Sequence, residues 1–343
     1  MNRILNRRTL PIVSKLIGLG ILFFLMYLVV RTFMWSAQFM HTTGITPIML
    51  TRLVADGGAP LESSGGRTNI LVLGMSGGNH EGSDLTDTIM VLSLNNVKKT
   101  MSLISVPRDI WSDTLKDKIN TAYHYGELKK KGGGLLLSKV IVEDVLGIPV
   151  HYAVVIDFSG FTKVIDEVGG IDVNVPDSFT DTQYPIDSME NATCSDGKDT
   201  CHYETIHFVS GWQHMDGATA LKYARSRHAE GTEGSDFARS RRQQIIMIAL
   251  KDGMVHPLKW FTPARVGKLP DVIDDATDMD MNIAQVMTIG KRFIGAQERD
   301  IQKISFDDRL DVPPQYLYGD RYVLVPHESW DDIHTYVKSQ LEK

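Results

Sequence analysis

Three short stretches of the chain concentrate the side chains able to grip or move phosphate. The densest joins Tyr223-Ala224-Arg225-Ser226-Arg227-His228 to Ser235-Asp236-Phe237-Ala238-Arg239-Ser240-Arg241-Arg242-Gln243-Gln244. Five arginines fall within eighteen positions of a chain whose formal net charge is -6, so an anion must be drawn by this local cluster and not by overall charge. Arginine forks match phosphate oxygens two at a time. Arg239 and Gln243 stand four apart and share one face of a helix, while Ile245, Ile246 and Ala249 point elsewhere into a core. A solvated helix face, the usual reading of a charge run, explains the arginines poorly, because few acidic partners stand four residues away.

The second stretch is the loop Gly74 to Asp87 (GMSGGNHEGSDLTD), rich in glycine and ending in two carboxylates, Asp84 and Asp87. Glycine lets backbone approach a ligand closely, and paired aspartates suit Mg²⁺ (or Mn²⁺), which joins protein carboxylates to substrate phosphates. Alone, such a loop is most often only a turn. The third is Ser105-Val106-Pro107-Arg108-Asp109, which delivers Arg108 at the end of a buried strand, where the sites of α/β sheets gather. Its plainer reading is a surface ion pair with Asp109.

These residues need elements to position them. Asn69 to Gly74, Thr88 to Leu94 and Met101 to Val106 are short apolar runs bounded by turn residues, which predicts buried strands. Helix is predicted over Leu135 to Leu146 and Phe158 to Val168, with strands over Tyr152 to Asp157 and Ile171 to Val175. That alternation argues for a layered α/β domain. From Pro176 to Met215 the chain reads as polar and irregular; helical periodicity returns over Gly217 to Ala224 and Asp236 to Leu250. Further on, a helix is expected around Ile283 to Phe293, a strand near Ile301 to Phe306, and a strand-helix pair over Tyr322 to Val325 and Trp330 to Leu341. At 43% hydrophobic and 23% charged residues, the 343-residue chain can bury a full core, which excludes a disordered protein.

Arg3, Arg7, Arg8 and Lys15 precede an apolar run from Leu16 that continues past Arg31 to Trp35. Basic residues ahead of such a run place the N-terminus inside. The reading is a cytoplasmic tail over 1–15, a transmembrane anchor over 16–35 with Trp35 in the outer aromatic belt, a linker over 36–67 and an exported domain over 68–343. A cleaved signal peptide is the rival, but no convincing small-residue cleavage site follows the run. The segment Asp56 to Thr68, rich in Gly and Ser, reads as a flexible tether. The only two cysteines, Cys194 and Cys201, bracket a polar loop, which in an oxidising compartment predicts a local disulfide. Asn191-Ala192-Thr193 matches a glycosylation sequon, a weak three-residue signal.

The stretches together resemble the LytR-CpsA-Psr family of cell-envelope proteins. The resemblance rests on TNILVLG, DLTDTIMV, SVPRD, KINTAY, VIDFSGF, EVGGIDV, HMDGATALKYARSRH and SDFARSRRQQ, in that order between Thr68 and Gln244. It implies a single-pass membrane protein with an extracytoplasmic α/β domain, a central mixed β-sheet flanked by helices. The implied activity is transfer of a glycopolymer from a polyprenyl-pyrophosphate carrier to peptidoglycan or another envelope acceptor, through a phosphodiester. On that resemblance Arg108, Arg225, Arg227, Arg239 and Gln243 grip the pyrophosphate, joined by Lys118 of the KIN motif, and Asp87 is a Mg²⁺-associated carboxylate.

The chain departs from the commoner family pattern at two positions. Ser76 stands where many members carry an aspartate, and Leu85 where they carry an arginine. Asp84, His80 or Glu81 are the candidates to replace the missing groups. A polyprenyl tail also needs an apolar groove, with Leu135, Leu136, Val140, Val145, Phe158, Phe161, Val164, Ile165, Ile246 and Leu250 as candidates against the plainer reading of an ordinary core. A pyrophosphatase using the same residues and a non-catalytic lipid- or glycan-binding regulator are the rival functions. Nucleic acid is not an expected partner, since no helix-turn-helix or basic stripe is present.

Overall fold

Strands β1 (Arg67–Met75), β2 (Thr86–Asn95) and β3 (Met101–Ser105) are apolar at most positions, and the sheet they form is covered on both faces. The computed structural model describes residues 10–43, 46–55, 57–78, 82–186, 194, 199–255, 277–297 and 300–343. A two-stranded hairpin, β4 (Trp111–Ser112) and β5 (Asp117–Lys118), follows β3 and leads into helix α3 (Ala122–Lys129) and helix α4 (Gly134–Leu146). Strand β6 (Tyr152–Asp157), helix α5 (Phe158–Glu167) and strand β7 (Ile171–Val175) come next.

The six-stranded sheet has the order β11-β6-β1-β2-β3-β12, with β11 at Thr277–Met279 and β12 at Ile301–Ile304. It is mixed, since β1 pairs with β2 antiparallel and with β6 parallel. Side chains alternate between its faces. Leu71, Leu73 and Val91 pack with Ile141, Val145 and Leu146 of α4 and with Ile333, Val337 and Leu341 of the C-terminal helix, Trp330–Glu342. Ile70, Met90, Leu92 and Leu103 take the other face, against Ile248, Ile289 and Phe293. Truncating a fully buried leucine such as Leu71 to alanine costs about 2–5 kcal/mol.

The stretch expected to be irregular, Pro176 to Met215, holds three strands instead: β8 (Phe179–Pro185), β9 (Tyr203–Phe208) and β10 (Gly211–Met215). Their outward positions mix polar residues with the exposed Tyr203 and Trp212, and a register shift interrupts the β8–β9 pairing, so the sequence lacks a sustained alternation. Their inward residues Phe179, Phe208 and Met215 join Ile165, Val173, Tyr223 and Ile246 in a second core. Helices α6 (Gly217–Arg225) and α7 (Asp236–Val255) close this core. Asp157 caps α5 by accepting from the Gly160 amide, and Asp216 caps α6 by accepting from the Thr219 amide. At Gly217, a Cβ would meet the Thr162 carbonyl oxygen at 2.3 Å, so only glycine lets α6 approach α5 this closely. Helix α8 (Ile283–Gly295) packs across α7.

Ahead of the domain, helix α1 (Leu10–Thr43) contains the 20-residue apolar span Leu19–Gln38. At 1.5 Å per residue that is roughly 30 Å, long enough to cross a bilayer. The helix runs well past the expected end at residue 35, and the Trp35 side chain lies outside the described residues. The expected linker over 36–67 is a correction. It contains helix α2 (Pro47–Ala55), and the presumed tether is seated on the domain: the Ala59 amide donates to Thr288 Oγ1 at 2.8 Å and the Glu62 amide to the Tyr152 hydroxyl at 2.8 Å. Gly58, at φ +105°, allows this approach, since a Cβ there would meet Thr288 Oγ1 at 2.3 Å.

Candidate active site

The three chemical stretches converge where α6, α7 and the ends of β1 and β2 meet. Arg225 ends α6, Arg227 follows in the loop, and Arg239 and Gln243 lie one turn apart on α7. With Asp87 and Thr88 of β2 they line a cavity of about 130 Å³. Arg225 lies over the Phe158 ring at 4.0 Å and the Tyr184 ring at 5.5 Å, stacking that holds the guanidinium in place.

The loop carrying Arg227 is fastened from beneath. Asp181, fully buried, accepts from the Ser226 hydroxyl at 2.7 Å and from the amides of Arg227 and His228 at 3.0 and 3.1 Å. Burial works against its ionisation, but these donors and the Gln183 amide outweigh it and hold its carboxyl below the usual range. Arg242 is 1% exposed and donates to the carbonyls of Tyr223, Ser226 and Glu233 and to the Glu233 carboxylate. Its place is therefore under the site, tying α6 and the loop to α7. Arg241 pairs with Glu233 and Asp307. Of the five clustered arginines, Arg225, Arg227 and Arg239 face the cavity. Nor does the run lack acids, since Asp236 pairs with Arg239 at i,i+3 and Glu233 with Arg241 and Arg242.

Arg239 is 6% exposed, and its Nε is buried with no hydrogen-bond partner. Burial pushes its pKa down to about 10, with Arg108 and Arg227 pushing the same way and Asp236 opposing. It remains a cation at neutral pH, with one donor unmet in the interior and its side chain among those lining the cavity.

Asp87 pairs with Arg108, whose Nε also lies 3.3 Å from Asp109. Lys118 Nζ donates to the other Asp109 oxygen at 2.7 Å. Burial opposes the charge on Arg108, but Asp87 and Asp109 prevail and raise its pKa. Arg108 and Lys118 thus form an ionic chain leading to the cavity and are not among its lining residues. Asp84 lies outside that lining too; it meets His124 Nδ1 at 2.6 Å. His80 and Glu81 lie outside the described residues, as does Asn191. Cys194 and Cys201 form the expected disulfide. Among the described residues, the one group of three spatially clustered metal-ligand types is Cys194, Cys201 and His202, and its sulfurs are bonded to each other.

A second cavity, of about 200 Å³, opens beside the first and is almost wholly apolar. Phe158, Phe161, Val164, Ile165, Ile246 and Leu250 line it, as the sequence suggested. Leu135 and Val145 are instead in the core under the sheet, and Leu136 and Val140 are exposed on the outer face of α4. Val72, Met90, Val154, Ile156, Leu221 and Met247 complete the walls. Thr88, Phe158, Ala224, Arg225 and Gln243 belong to both cavities.

A family model described as the LytR_cpsA_psr family matches residues 52–339. The chain belongs to that family. Its matched region begins within α2 and takes in both cavities and most of the C-terminal helix. TagV of Bacillus subtilis (strain 168), named as a polyisoprenyl-teichoic acid–peptidoglycan teichoic acid transferase, is 31% identical over 226 residues, 64% of this chain and 51% of that protein. The chain thus spans about half the length of that relative. The regulatory protein MsrR of Staphylococcus aureus (strain Mu50) is 32% identical over 260 residues, 74% of this chain and 67% of MsrR. The crystal structure of B. subtilis TagV superposes with a TM-score of 0.56 at 26% identity, covering 82% of this chain and 99% of that one. The mixed sheet with flanking helices is the fold of the family.

Three residues at the site were not legible beforehand. Asp181 sat in the stretch read as irregular. Asp236 was counted only as part of a run. Leu221 stands four residues before Arg225, a spacing that would have placed it on the same helix face.

Proposed function

We propose that this protein is a glycopolymer phosphotransferase, moving a glycopolymer from a polyprenyl-pyrophosphate carrier to peptidoglycan or another envelope acceptor. The observation that carries the reading is the wall shared by the arginine-lined cavity and the apolar cavity. A pyrophosphate head joined to an isoprenoid tail requires those two environments side by side. The names carried by TagV, and by TagU of Bacillus mycoides at 27% identity, support the reaction class.

In the transfer, an acceptor hydroxyl oxygen attacks the sugar-proximal phosphorus. A new P–O bond forms as the bridging P–O bond breaks, and the electron pair leaves on polyprenyl phosphate. Positioning and charge stabilisation carry such a reaction. Arg225, Arg227 and Arg239, all lining the cavity, hold the phosphate oxygens. Gln243 adds an amide donor on the same helix face. The Asp109–Arg108–Asp87 chain, steadied by Lys118, fixes the carboxylate at the edge of the cavity.

Mg²⁺ or Mn²⁺ fits this donor set through Asp87, which lines the cavity and keeps one oxygen outside its pair with Arg108. Held there, such a cation would supply neutralisation of the pyrophosphate charge. The acceptor proton is assigned to Asp84, whose contact with His124 offers an onward path.

The reading puts the N-terminus in the cytoplasm and the domain outside; the basic residues ahead of the apolar span and the Cys194–Cys201 disulfide support it. The anchor confines enzyme and lipid donor to one plane. The test is incubation of the purified full chain with a lipid-linked pyrophosphate donor and peptidoglycan, followed by product analysis. Polymer joined to acceptor is the expected product; free polymer phosphate would mark a pyrophosphatase, and binding without turnover a regulator. Arg227→Ala is expected to abolish polymer release from its carrier, and undiminished transfer by that variant would overturn the role assigned to Arg227.

A further inference from the structure

The ionic chain behind the phosphate cavity continues outward into an aromatic surface that the donor reading does not use. Lys118, paired with Asp109 at 2.7 Å, also lies 6.0 Å from the Tyr322 ring centroid. The hairpin bearing Lys118 begins with Trp111, whose ring meets Tyr318 edge-on at 5.0 Å. Arg321 lies over Trp111 at 5.1 Å and pairs with Asp117 at 2.6 Å. Tyr316, 74% exposed, stands on the same 3-10 turn, Gln315–Tyr318. Residues two hundred positions apart in sequence are brought together here, because the Trp111 amide donates to the Leu324 carbonyl and the Leu324 amide to the Asp109 carbonyl.

We propose that the surface of Trp111, Tyr316, Tyr318 and Tyr322 binds the acceptor glycan, a chain of pyranose rings, and presents its hydroxyl to the Arg108 side of the cavity. This rests on the transferase reading. Aromatic rings cover the C–H faces of pyranoses, while their polar edges and neighbouring side chains bind hydroxyls. The rings here are interleaved with Asp113, Lys116, Asp117, Lys118, Asp320 and Arg321, three acids and three bases. That balance suits a neutral polyhydroxylated ligand, whereas an anionic membrane surface selects a basic excess. Lys118, Asp109 and Arg108 link this surface to Asp87 at the edge of the cavity.

The test uses the full chain in detergent with chitohexaose, a soluble β-1,4-linked N-acetylglucosamine oligomer, and separately with polyprenyl pyrophosphate. The double substitution Tyr316→Ala, Tyr318→Ala is expected to weaken chitohexaose binding about tenfold or more and to leave polyprenyl pyrophosphate binding unchanged. Arg321→Ala, distant from the core, is expected to act in the same direction and serves if the double variant fails to fold. Equal chitohexaose affinity in the folded variants, or no binding to the wild type, would overturn the proposal. So would loss of binding to anionic phospholipid vesicles with glycan binding intact, which would mark a membrane contact. Failure of the wild type to bind polyprenyl pyrophosphate would instead sink the transferase reading.

Discussion

Asp236 Oδ1 stands 3.2 Å from Arg239 Nη2 across one turn of α7, and it is the nearest acid to a guanidinium whose Nε meets nothing. One carboxylate thus serves a nearly buried arginine incompletely, and it reaches Arg227 only at 3.9 Å. An under-satisfied buried cation costs stability and is ready to receive an anion.

Arg239→Met is therefore expected to bind a pyrophosphate donor at least about tenfold more weakly, as loss of a charged hydrogen bond of roughly 1.5–3 kcal/mol implies. Its thermal midpoint should be unchanged or higher, because the substitution removes a desolvated charge of similar length. Thermal unfolding beside donor-binding measurements checks both, and a large drop in midpoint would mean that Arg239 is chiefly structural.

The apolar cavity makes a separate demand. Val164→Trp fills it from α5, at an overpacking cost of about 1–3 kcal/mol. Transfer from a long polyprenyl donor should fall well below transfer from a donor with a short isoprenoid tail. Equal loss on both would place the tail elsewhere.

How far the site could be read in advance depended on distance along the chain. Arg225, Arg227, Arg239 and Gln243 lie close in sequence on two helices, so spacing alone grouped them. Asp181 touches the same loop from more than forty residues away on a strand whose polar face hid it. Apolar residues could not be sorted by sequence into cavity and core: Phe161 lines the cavity while Val145 packs under the sheet. The tether misled for a related reason, since the hydroxyls of Thr288 and Tyr152 that seat it are distant in the chain. The sheet was legible because its strands are buried on both faces and so read as unbroken apolar runs.

Chelation of divalent cations with EDTA is expected to stop transfer while leaving the fold and the binding of an uncharged polyprenol intact. Mg²⁺ should restore turnover to the wild type. Asp87→Asn should lose that rescue, shown by titrating Mg²⁺ against initial rate, and a wild type indifferent to EDTA would remove the cation from the proposed function.

Asp181 links the site to pH. Its carboxyl is held below the usual range in the folded chain, so it binds a proton less readily there than when unfolded. Its stabilising contribution is therefore fully present above the unfolded aspartate value, about 4, and is lost as pH falls through the lower folded value. Asp181→Asn replaces an acceptor of the Ser226, Arg227 and His228 donors by a neutral amide, at an expected cost of about 1–3 kcal/mol near neutrality. Urea unfolding of both proteins between pH 7 and pH 3 should show the gap narrowing with acidification, because the wild type alone sheds this term. A gap constant across that range would mean that the donors hold the loop equally well around a neutral side chain, and that the charge of Asp181 is not what fastens Arg227 in place.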